Sequence, residues 1–472
     1  MRQRYDEPEN GATAGGKAVP DGETGPGGET GPGNAAGPWG AAGPGGAAGP
    51  GNAAGSASAA GPGGDRGLRG SDEGGGDGDG GGRTLTIGVV IARTGRLARL
   101  GAPLAFVSSL LEPKLRRIGN GGRRYDVRLV SRDSRSTAEG ARQAVRELIG
   151  EERAHIVLTL AGTEVLPAVA DACERAGVPC VSSTFPWQVY YFGRGATARQ
   201  PFRWTYHFCW GLDDIAEVFA DLWEAVGGRA VGCLWNDGPQ GTWSRHPEHG
   251  FLPAARARGH RLVDPAGYRE PAGEFGGHVT AFGDGDVDIV TSAASGPDLA
   301  RFRAEAARRG VRPRLITCSR WLAYPPVPVA GAEPPQARVG TLVYWTPGHP
   351  YRSSLDGMRA AELAEAYERA TGEQWLQPLG LAYALFEVAA HALATAAEPT
   401  DPAAVAAALA ATRLETIAGP LDWTSGPVPN VATVRLAGGQ WQPGRRHPYE
   451  LAVVDNRRVD GLPVDAALLP AR

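Results

Sequence analysis

The chain has 472 residues, and its 48 lysines and arginines nearly balance its 51 aspartates and glutamates, for a formal net charge of −3 at pH 7. This balance argues against the strongly basic surface that nucleic acids and anionic membranes attract. No stretch approaches the roughly eighteen consecutive apolar residues that a membrane span needs. We therefore predict neither a nucleic-acid partner nor a membrane-spanning segment.

The first 83 residues are dominated by glycine, alanine and proline. Residues 35–64 repeat one six-residue phrase five times, as AAGPWG, AAGPGG, AAGPGN, AAGSAS and AAGPGG. Such sequence buries too little apolar surface to offset the entropy that the chain loses on folding. A collagen-like glycine period runs from Gly22 to Gly31 but fails at Asn34, whereas a triple helix needs an unbroken period. We interpret residues 1–83 as a disordered linker.

From residue 84 onward, strand and helix patterns alternate. Ser136 and Glu139 form an S-x-x-E capping box at the start of one helix, and Thr163 is expected at the N-cap of the next. Such strand–helix repeats are typical of a parallel, doubly wound sheet. Strands are predicted at residues 84–91, 125–131, 155–161 and 178–182, with helices at 102–119, from 136 onward and at 163–176.

The same alternation restarts in the second half of the folded part. Strands are predicted at residues 229–235, 287–292, 314–318 and 339–345, and helices at 213–226, 253–259, 297–309, 354–371 and 379–396. Strand and turn sequence follows from residue 419. These patterns predict an α/β protein with two Rossmann-like lobes, each with its own parallel sheet, joined by a multi-strand hinge.

We place the lobe boundaries between these two sets of elements. Lobe one is predicted to comprise residues 84–205 and 350–422, and lobe two residues 206–349 and 423–472. Chain crossovers are expected near residues 205–208, 347–350 and 421–424. Ligands of open parallel sheets bind beyond the carboxyl ends of the strands, where helix N-termini present free N–H groups. A site is therefore expected between the two lobes.

Four segments carry a resemblance to a known family: TIGVVIARTGRLARLG, VRLVSRDSRSTAEGARQAVRELI, HIVLTLAGTEVLPAVADACERAGVPCVSS, and IAGPLDW followed by VATVRLAGGQWQPG. Their order and content resemble the type I periplasmic solute-binding proteins of ABC transporters, in the branched-chain amino-acid (leucine, isoleucine and valine) binding branch. The resemblance spans residues 85 to 456. It implies the type I periplasmic-binding-protein fold and a small ligand held between the lobes.

The resemblance implies that lobe one holds the ligand carboxylate through hydroxyls and backbone N–H groups. The matching positions here are Thr163 with Glu164, in the loop after the third strand, and Ser182, Ser183 and Thr184 after the fourth. A hydroxyl at a helix N-terminus suits an anion because the helix dipole adds to it. A purely structural role for Thr163, capping its helix, is the alternative.

Lobe two departs from the family pattern. Tyrosines and an acid that pairs with the ammonium group are expected there, but the matching positions hold Gln240, Ser295 and Arg320. A guanidinium recognises carboxylate or phosphate oxygens, so Arg320 favours an anionic group or lies on the rim of the site. Glu164 or Asp237 is the candidate for the missing negative charge.

Tryptophans near the predicted cleft are candidates to stack on a ligand. Trp187, Trp243 and Trp321 follow predicted strands, and indole rings wall many small-molecule sites. Packing in the core or the hinge is the alternative for each.

Motifs for catalysis and metal binding are weak. The sequence after the linker has no G-x-S-x-G elbow, P-loop or G-x-G-x-x-G after a strand. His246 and His249 form an H-x-x-H in a proline-rich loop, without the helix that would align them on a metal. The five cysteines show no CxxC pair, which indicates buried small residues, with one disulfide left open if the chain is secreted. We predict no enzyme activity, no metal and no cofactor.

The predicted function is that of a non-enzymatic receptor. It would capture a small polar solute, an amino acid or related carboxylate or amide, by hinge closure and deliver it, as a monomer, to an ABC permease. An intracellular or tethered sensor with the same fold is the alternative. The family suggests an extracytoplasmic or cell-surface location, although the charged start MRQRYDEPENGATAGG precedes no apolar segment and predicts neither a signal peptide nor a lipid anchor.

Overall fold

The structure is a computed structural model that describes residues 84–320, 324–327 and 333–471. The linker predicted at residues 1–83 and the predicted ligand contact Trp321 lie outside the described residues. The described residues form the two-lobed α/β architecture expected from the sequence, with two seven-stranded sheets and one separate hairpin.

The first sheet has strand order β14-β6-β5-β4-β1-β3-β2. All neighbours in it are parallel except β2, which forms an antiparallel hairpin with β3. Strand β1 lies in the interior of this sheet, and all of its residues after Thr84 are buried, as its uninterrupted apolar sequence predicts. The strands are β1 (Thr84–Ile91), β2 (Arg117–Asn120), β3 (Arg123–Asp133), β4 (Ile156–Leu160), β5 (Cys180–Ser183), β6 (Thr205–Cys209) and β14 (Val431–Thr433).

The second sheet has strand order β16-β15-β11-β10-β9-β7-β8. Its strands are parallel except for β15 and β16, which the chain adds in antiparallel orientation at its end. They are β7 (Ala230–Leu234), β8 (Arg261–Val263), β9 (Ile289–Ser292), β10 (Leu315–Cys318), β11 (Val339–Val343), β15 (Ala437–Pro443) and β16 (Tyr449–Asp455). A separate hairpin is formed by β12 (Arg413–Thr416) and β13 (Gly419–Asp422).

Helices cover the sheets. Those of the first lobe are α1 (Ala98–Leu111), α2 (Ala138–Gly150), α3 (Val165–Ala176), α4 (Trp187–Tyr191), α10 (Ala360–Thr371), α11 (Pro378–Thr395) and α12 (Pro402–Ala410). Those of the second lobe are α5 (Leu212–Ala225), α6 (Pro239–Ser244), α7 (Leu252–Ala257), α8 (Gly276–Asp284) and α9 (Gly296–Arg308).

Helix α11 is the one described helix that is long and apolar enough to cross a membrane, but 83% of its 18 residues are buried inside the molecule. It packs on α1, α12 and strands β2, β4 and β5. The uniform apolarity of α11 is therefore accounted for by its position in the core of the first lobe.

The predicted capping box at Ser136 is wrong. The N-cap of α2 is Thr137, whose hydroxyl accepts a hydrogen bond from the N–H of Gly140. Ser136 instead has a positive φ of 58°, and its hydroxyl accepts from the N–H of Leu97. The end of α3 agrees with the prediction, because Gly177 terminates it with φ of 70°, a conformation that glycine adopts without a steric penalty.

The chain passes between the two sheets three times. It crosses between β6 and α5, between β11 and α10, and between β14 and β15. The third crossing therefore occurs at residues 434–436 and not at 421–424, because the short strand β14 first completes the first sheet. The predicted lobe boundaries at residues 205 and 423 assign β6 and β14 to the second lobe, whereas both strands pair in the first sheet.

Candidate functional site

The carboxyl ends of the parallel strands of both sheets lead into loops that meet between the lobes. Arg99, in α1 of the first lobe, places its guanidinium 4.7 Å from the ring centroid of Tyr324, which follows β10 of the second. The predicted ligand residues lie in the neighbouring loops after β4, β5, β7, β9 and β10. These loops delimit the candidate site.

Thr163 lies in the loop after β4 and is not the N-cap of α3. Glu164 occupies that position, and no side chain caps the helix. The Thr163 hydroxyl is buried and has no hydrogen-bond partner among the described residues. A buried hydroxyl without a partner is energetically costly, so this group is suited to receive a polar ligand atom. Glu164 is engaged in an ion pair with Arg96, which follows β1.

The hydroxyls of Ser182 and Ser183 are used inside the first sheet. Ser182 is fully buried, with its Oγ 2.9 Å from Nδ1 of His207. Ser183 is equally buried and donates to the carbonyl oxygen of Phe208 over 2.7 Å. Both bonds connect β5 to β6, so these two predicted ligand hydroxyls stabilise the strand pair instead of facing the cleft.

Thr184, the next residue, holds the loop after β5 against the loop after β4. Its hydroxyl donates to the carbonyl oxygen of Ala161 over 2.9 Å. Its φ is +106°, which is strained for a β-branched residue and is the kind of outlier found at ligand-binding loops. Thr184 therefore stays a predicted ligand contact, although its hydroxyl is already bonded.

Arg320 follows β10, and its side chain is buried against Glu270. Only 4% of Arg320 is exposed, and its Nη1 lies 2.8 Å from Oε1 and 2.5 Å from Oε2 of Glu270. Asn236, which follows β7, donates from Nδ2 to Oε2 of the same carboxylate over 2.7 Å. Since β9 lies between β7 and β10, Glu270 spans the carboxyl end of β9. The guanidinium expected to favour an anion is thus paired with an acid.

Glu270 is the site residue that sequence reasoning missed. It lies in an irregular loop between β8 and α8, where no strand or helix periodicity locates it. The acids proposed in its place are paired or exposed: Glu164 pairs with Arg96, and Asp237 is exposed. The one indirect signal for Glu270 is Arg320, because a guanidinium that becomes buried requires an acidic partner.

The other predicted residues of the second lobe have structural contacts. Ser295 is the N-cap of α9 and accepts from the N–H of Asp298 over 3.3 Å. Gln240 is 6% exposed in the first turn of α6. In the first lobe, Trp187 is 1% exposed and packs 5.8 Å from the ring of Phe192, which is core packing rather than a cleft wall.

The first crossover carries a buried link between the lobes. Gln188 of α4 is fully buried and donates from Nε2 to Oδ1 of Asp213 in α5 over 2.7 Å. Its Oε1 accepts from the N–H of Leu212 over 2.8 Å. Beside it, Trp210 of the first crossover stacks on Tyr344, which follows β11, with centroids 4.3 Å apart. Residues of both lobes therefore pack against the first crossover.

The described ranges contain no cluster of three or more His, Cys, Asp or Glu side chains with metal-binding geometry. All five cysteines are buried and unpaired. The residues of the site, a free hydroxyl on one lobe and a paired guanidinium and carboxylate on the other, suit a small polar organic molecule.

Comparisons with known proteins agree with the two-lobed fold. A family model described as periplasmic binding protein matches residues 84–442. No curated protein matches the chain at a significant level.

Three solved structures illustrate the likeness. A leucine-binding protein of Thermotoga maritima has 16% identity and a TM-score of 0.59, with 79% of this chain and 99% of that chain covered. A solute-binding protein of R. palustris in complex with benzoate has 15% identity and a TM-score of 0.56, with 82% and 99% covered. A branched-chain amino-acid transporter substrate-binding protein of Streptococcus pneumoniae in complex with isoleucine has 14% identity and a TM-score of 0.55, with 79% and 100% covered. At these identities the likeness establishes the fold.

Proposed function

We propose, from the premise that this chain belongs to the periplasmic binding protein family, that it is the solute-capturing component of an ABC-type importer. It holds a small polar solute between its lobes, without catalysis, and presents it to a permease. The observation that carries this proposal is the buried hydroxyl of Thr163, which follows β4 and has no hydrogen-bond partner among the described residues. We propose that the Arg320–Glu270 pair of the second lobe forms the opposite side of the cleft.

The solute class proposed is a small molecule with a carboxylate. Leucine, isoleucine and benzoate, the ligands named for three structural neighbours, all carry this group. Thr163 lies directly before α3, whose N-terminus has no side-chain cap, and a helix N-terminus favours an anion. We assign the carboxylate to this side of the cleft.

The Arg320–Glu270 pair is expected to bind two kinds of carboxylate ligand with different affinity. An amino acid brings an ammonium group, for which Glu270 supplies the opposite charge once the lobes close. An aromatic acid such as benzoate has no cation and gains nothing from Glu270. We propose an amino acid or a closely related amide, because Glu270 is only partly buried and a carboxylate at the cleft favours a ligand with a positive end.

A thermal-shift screen with amino acids and small carboxylic acids, followed by calorimetry, tests the proposal. A ligand at 100 times its Kd stabilises the protein by about 2.7 kcal/mol, which gives a measurable rise in Tm. Absence of any shift across amino acids, aromatic acids and aliphatic acids contradicts the proposed function.

Two substitutions then test the ligand class. Arg320→Met is expected to weaken binding of the best ligand more than tenfold (about 1.4 kcal/mol), whereas the exposed control Arg312→Met leaves it unchanged. Glu270→Gln is expected to weaken amino acids but not benzoate. Equal losses for both ligands would show that Glu270 does not meet an ammonium group.

A further inference from the structure

Four rings form a continuous stack where the first lobe meets the second. The centroid of Phe192 lies 4.9 Å from that of His249, with the ring planes 15° apart. His249 lies 4.7 Å from His246 at 20°, and His246 lies 5.4 Å from Trp243 at 17°. We call Phe192, His249, His246 and Trp243 the ring stack.

The ring stack joins elements of different lobes. Phe192 is the C-cap of α4, in the first lobe. Trp243 lies in α6, and the two histidines lie in the segment between α6 and α7, all in the second lobe. Gly193, the residue after Phe192, also lies near Trp243, because a Cβ added to Gly193 would be 3.7 Å from Cζ2 of Trp243. Any rotation that opens the cleft on this side separates Phe192 from His249.

Hydrogen bonds fix the orientation of the His246 ring in the stack. Nδ1 of His246 accepts the backbone N–H groups of Glu248 and His249, over 3.3 and 3.2 Å. Two imidazolium rings at stacking distance also repel one another. The stack is therefore more stable when the rings are neutral.

The charged groups that act on His249 come from its own segment and from α5. Burial lowers its pKa first and the neighbouring His246 lowers it further, while Glu248 on its own segment and Asp213 of α5 act in the opposite direction. Helix α4 contributes Phe192, which has no charge. Arg245, next along the chain, is engaged with Asp264. The two acids offset burial only in part, so the pKa of His249 stays below its ordinary value of 6.5.

We propose that the ring stack is a pH-sensitive contact that favours the closed form while His249 is neutral and favours it less when His249 gains a proton. This regulation goes beyond ligand capture and needs no ligand. An exposed histidine in the open form titrates near its ordinary value of about 6.5, so protons bind preferentially to the open form. The contribution of the stack to closure is full above about pH 7 and weakens as the pH falls through 6.5.

Fluorescence energy transfer between the lobes measures this opening. Arg199→Cys and Arg256→Cys place dyes on exposed positions of the two lobes, and the five native cysteines are buried and react slowly. In the full-length, ligand-free protein, the ratio of open to closed molecules is expected to rise by up to about tenfold from pH 7.5 to pH 5.5, the limit for one linked proton.

Three variants separate the titration from the packing. His249→Phe keeps a stacked ring without a titrating nitrogen and is expected to keep the same ratio of open to closed molecules at both pH values. His249→Ala removes the stack and is expected to be more open than the wild type at pH 7.5, with no further opening at pH 5.5. His391→Gln, a substitution on α11 of the first lobe, is expected to respond to pH as the wild type does. Circular dichroism melts confirm that each variant is folded.

The proposal is overturned if the wild type keeps one inter-lobe distance from pH 7.5 to 5.5, or if His249→Phe opens as the wild type does. If His249→Ala fails to fold, the comparison between wild type and His249→Phe still decides the question. Because no ligand is added, this result is independent of whether the proposed solute class is right.

Discussion

At the scale of single residues, the hydroxyl of Thr163 is expected to act in binding and not in folding. It is buried and makes no hydrogen bond within the described residues, so Thr163→Val removes no native bond and is expected to leave Tm unchanged or slightly higher. Loss of a hydrogen bond to the ligand should lower affinity about fivefold to tenfold, or roughly 1 kcal/mol. Calorimetry with the best screened ligand measures the affinity.

Thr159→Val is the matched control for this prediction. Thr159 is fully buried in β4 and donates to the carbonyl oxygen of Val90 over 3.1 Å. Its loss is expected to lower stability by about 1 kcal/mol while affinity is unchanged. If Thr163→Val instead lowers Tm and preserves affinity, Thr163 is a structural residue.

Glu387 is expected to make stability depend on pH. It is fully buried on α11, and its oxygens accept from Ser354 N–H over 2.5 Å and from Ile417 N–H over 3.0 Å. Burial raises its pKa from 4.5 to about 7. The folded state therefore holds this proton more tightly than the unfolded state, and the resulting stability is full below pH 4.5 and lost as the pH rises to 7.

The glutamine variant isolates this effect, because Glu387→Gln keeps the shape but does not titrate. The difference in unfolding free energy between wild type and variant is expected to fall by about 3 kcal/mol from pH 4.5 to pH 8, measured by urea denaturation. The exposed control Glu365→Gln should show no such trend. A difference that stays constant with pH would mean that Glu387 ionises normally.

The strand pattern places Thr163 and Arg320 at strand ends, and both follow strands in the structure. The cap of α2 was predicted at Ser136 but lies at Thr137, because a cap depends on one residue's backbone angles, which composition does not specify. Glu270 was missed because its loop lacks periodicity, so nothing but the three-dimensional path brings it to Arg320.

At the scale of secondary-structure elements, Gly211 between β6 and α5 is expected to tolerate no side chain. Its φ of −94° is open to any residue, but an added Cβ would lie 1.9 Å from Oδ1 of Asp213, 2.6 Å from Nε1 of Trp187 and 2.9 Å from Nε2 of Gln188. Gly211→Ala would therefore separate Gln188 from Asp213 and destabilise the protein by about 1–3 kcal/mol.

Gly273→Ala is the control for the hinge prediction, because its Cβ would meet no atom within 4 Å. Its Tm is expected to stay within a degree or two of wild type, since surface changes are worth about ±0.5 kcal/mol. Equal melting temperatures for Gly211→Ala and Gly273→Ala would show that the first crossover adapts to the added methyl group.

The elements that the sequence predicted are the long or strongly apolar ones. Strand β1 and helices α3, α5 and α11 lie close to their expected bounds because a buried strand and a long helix repeat their pattern over many residues. Strand β14 has three residues and α4 has five, too few for a period to show. The third crossover was misplaced for the same reason, since the strand before it left no recognisable pattern.

At the scale of the whole molecule, the two sides of the cleft are expected to affect closure differently. A ligand shifts the equilibrium toward the closed form only through contacts that differ between the open and closed forms. In the proposed binding mode, Thr163, whose hydroxyl has no hydrogen-bond partner among the described residues, contacts the ligand in both forms and contributes affinity alone. Arg320, held on the second lobe by Glu270, is proposed to reach the ligand only after closure.

Thr163→Val is therefore expected to need more ligand but to reach the same closed fraction as wild type when saturated. Arg320→Met is expected to bind more weakly and to remain partly open even at saturation, because the ligand contact that it loses exists in the closed form alone. The dyes at Arg199→Cys and Arg256→Cys report the closed fraction at pH 7.5, where the ring stack is neutral. If both variants close to the same extent at saturation, the contact with Arg320 does not differ between the open and closed forms. The closed form is then stabilised by the contacts between the lobes and not by the ligand.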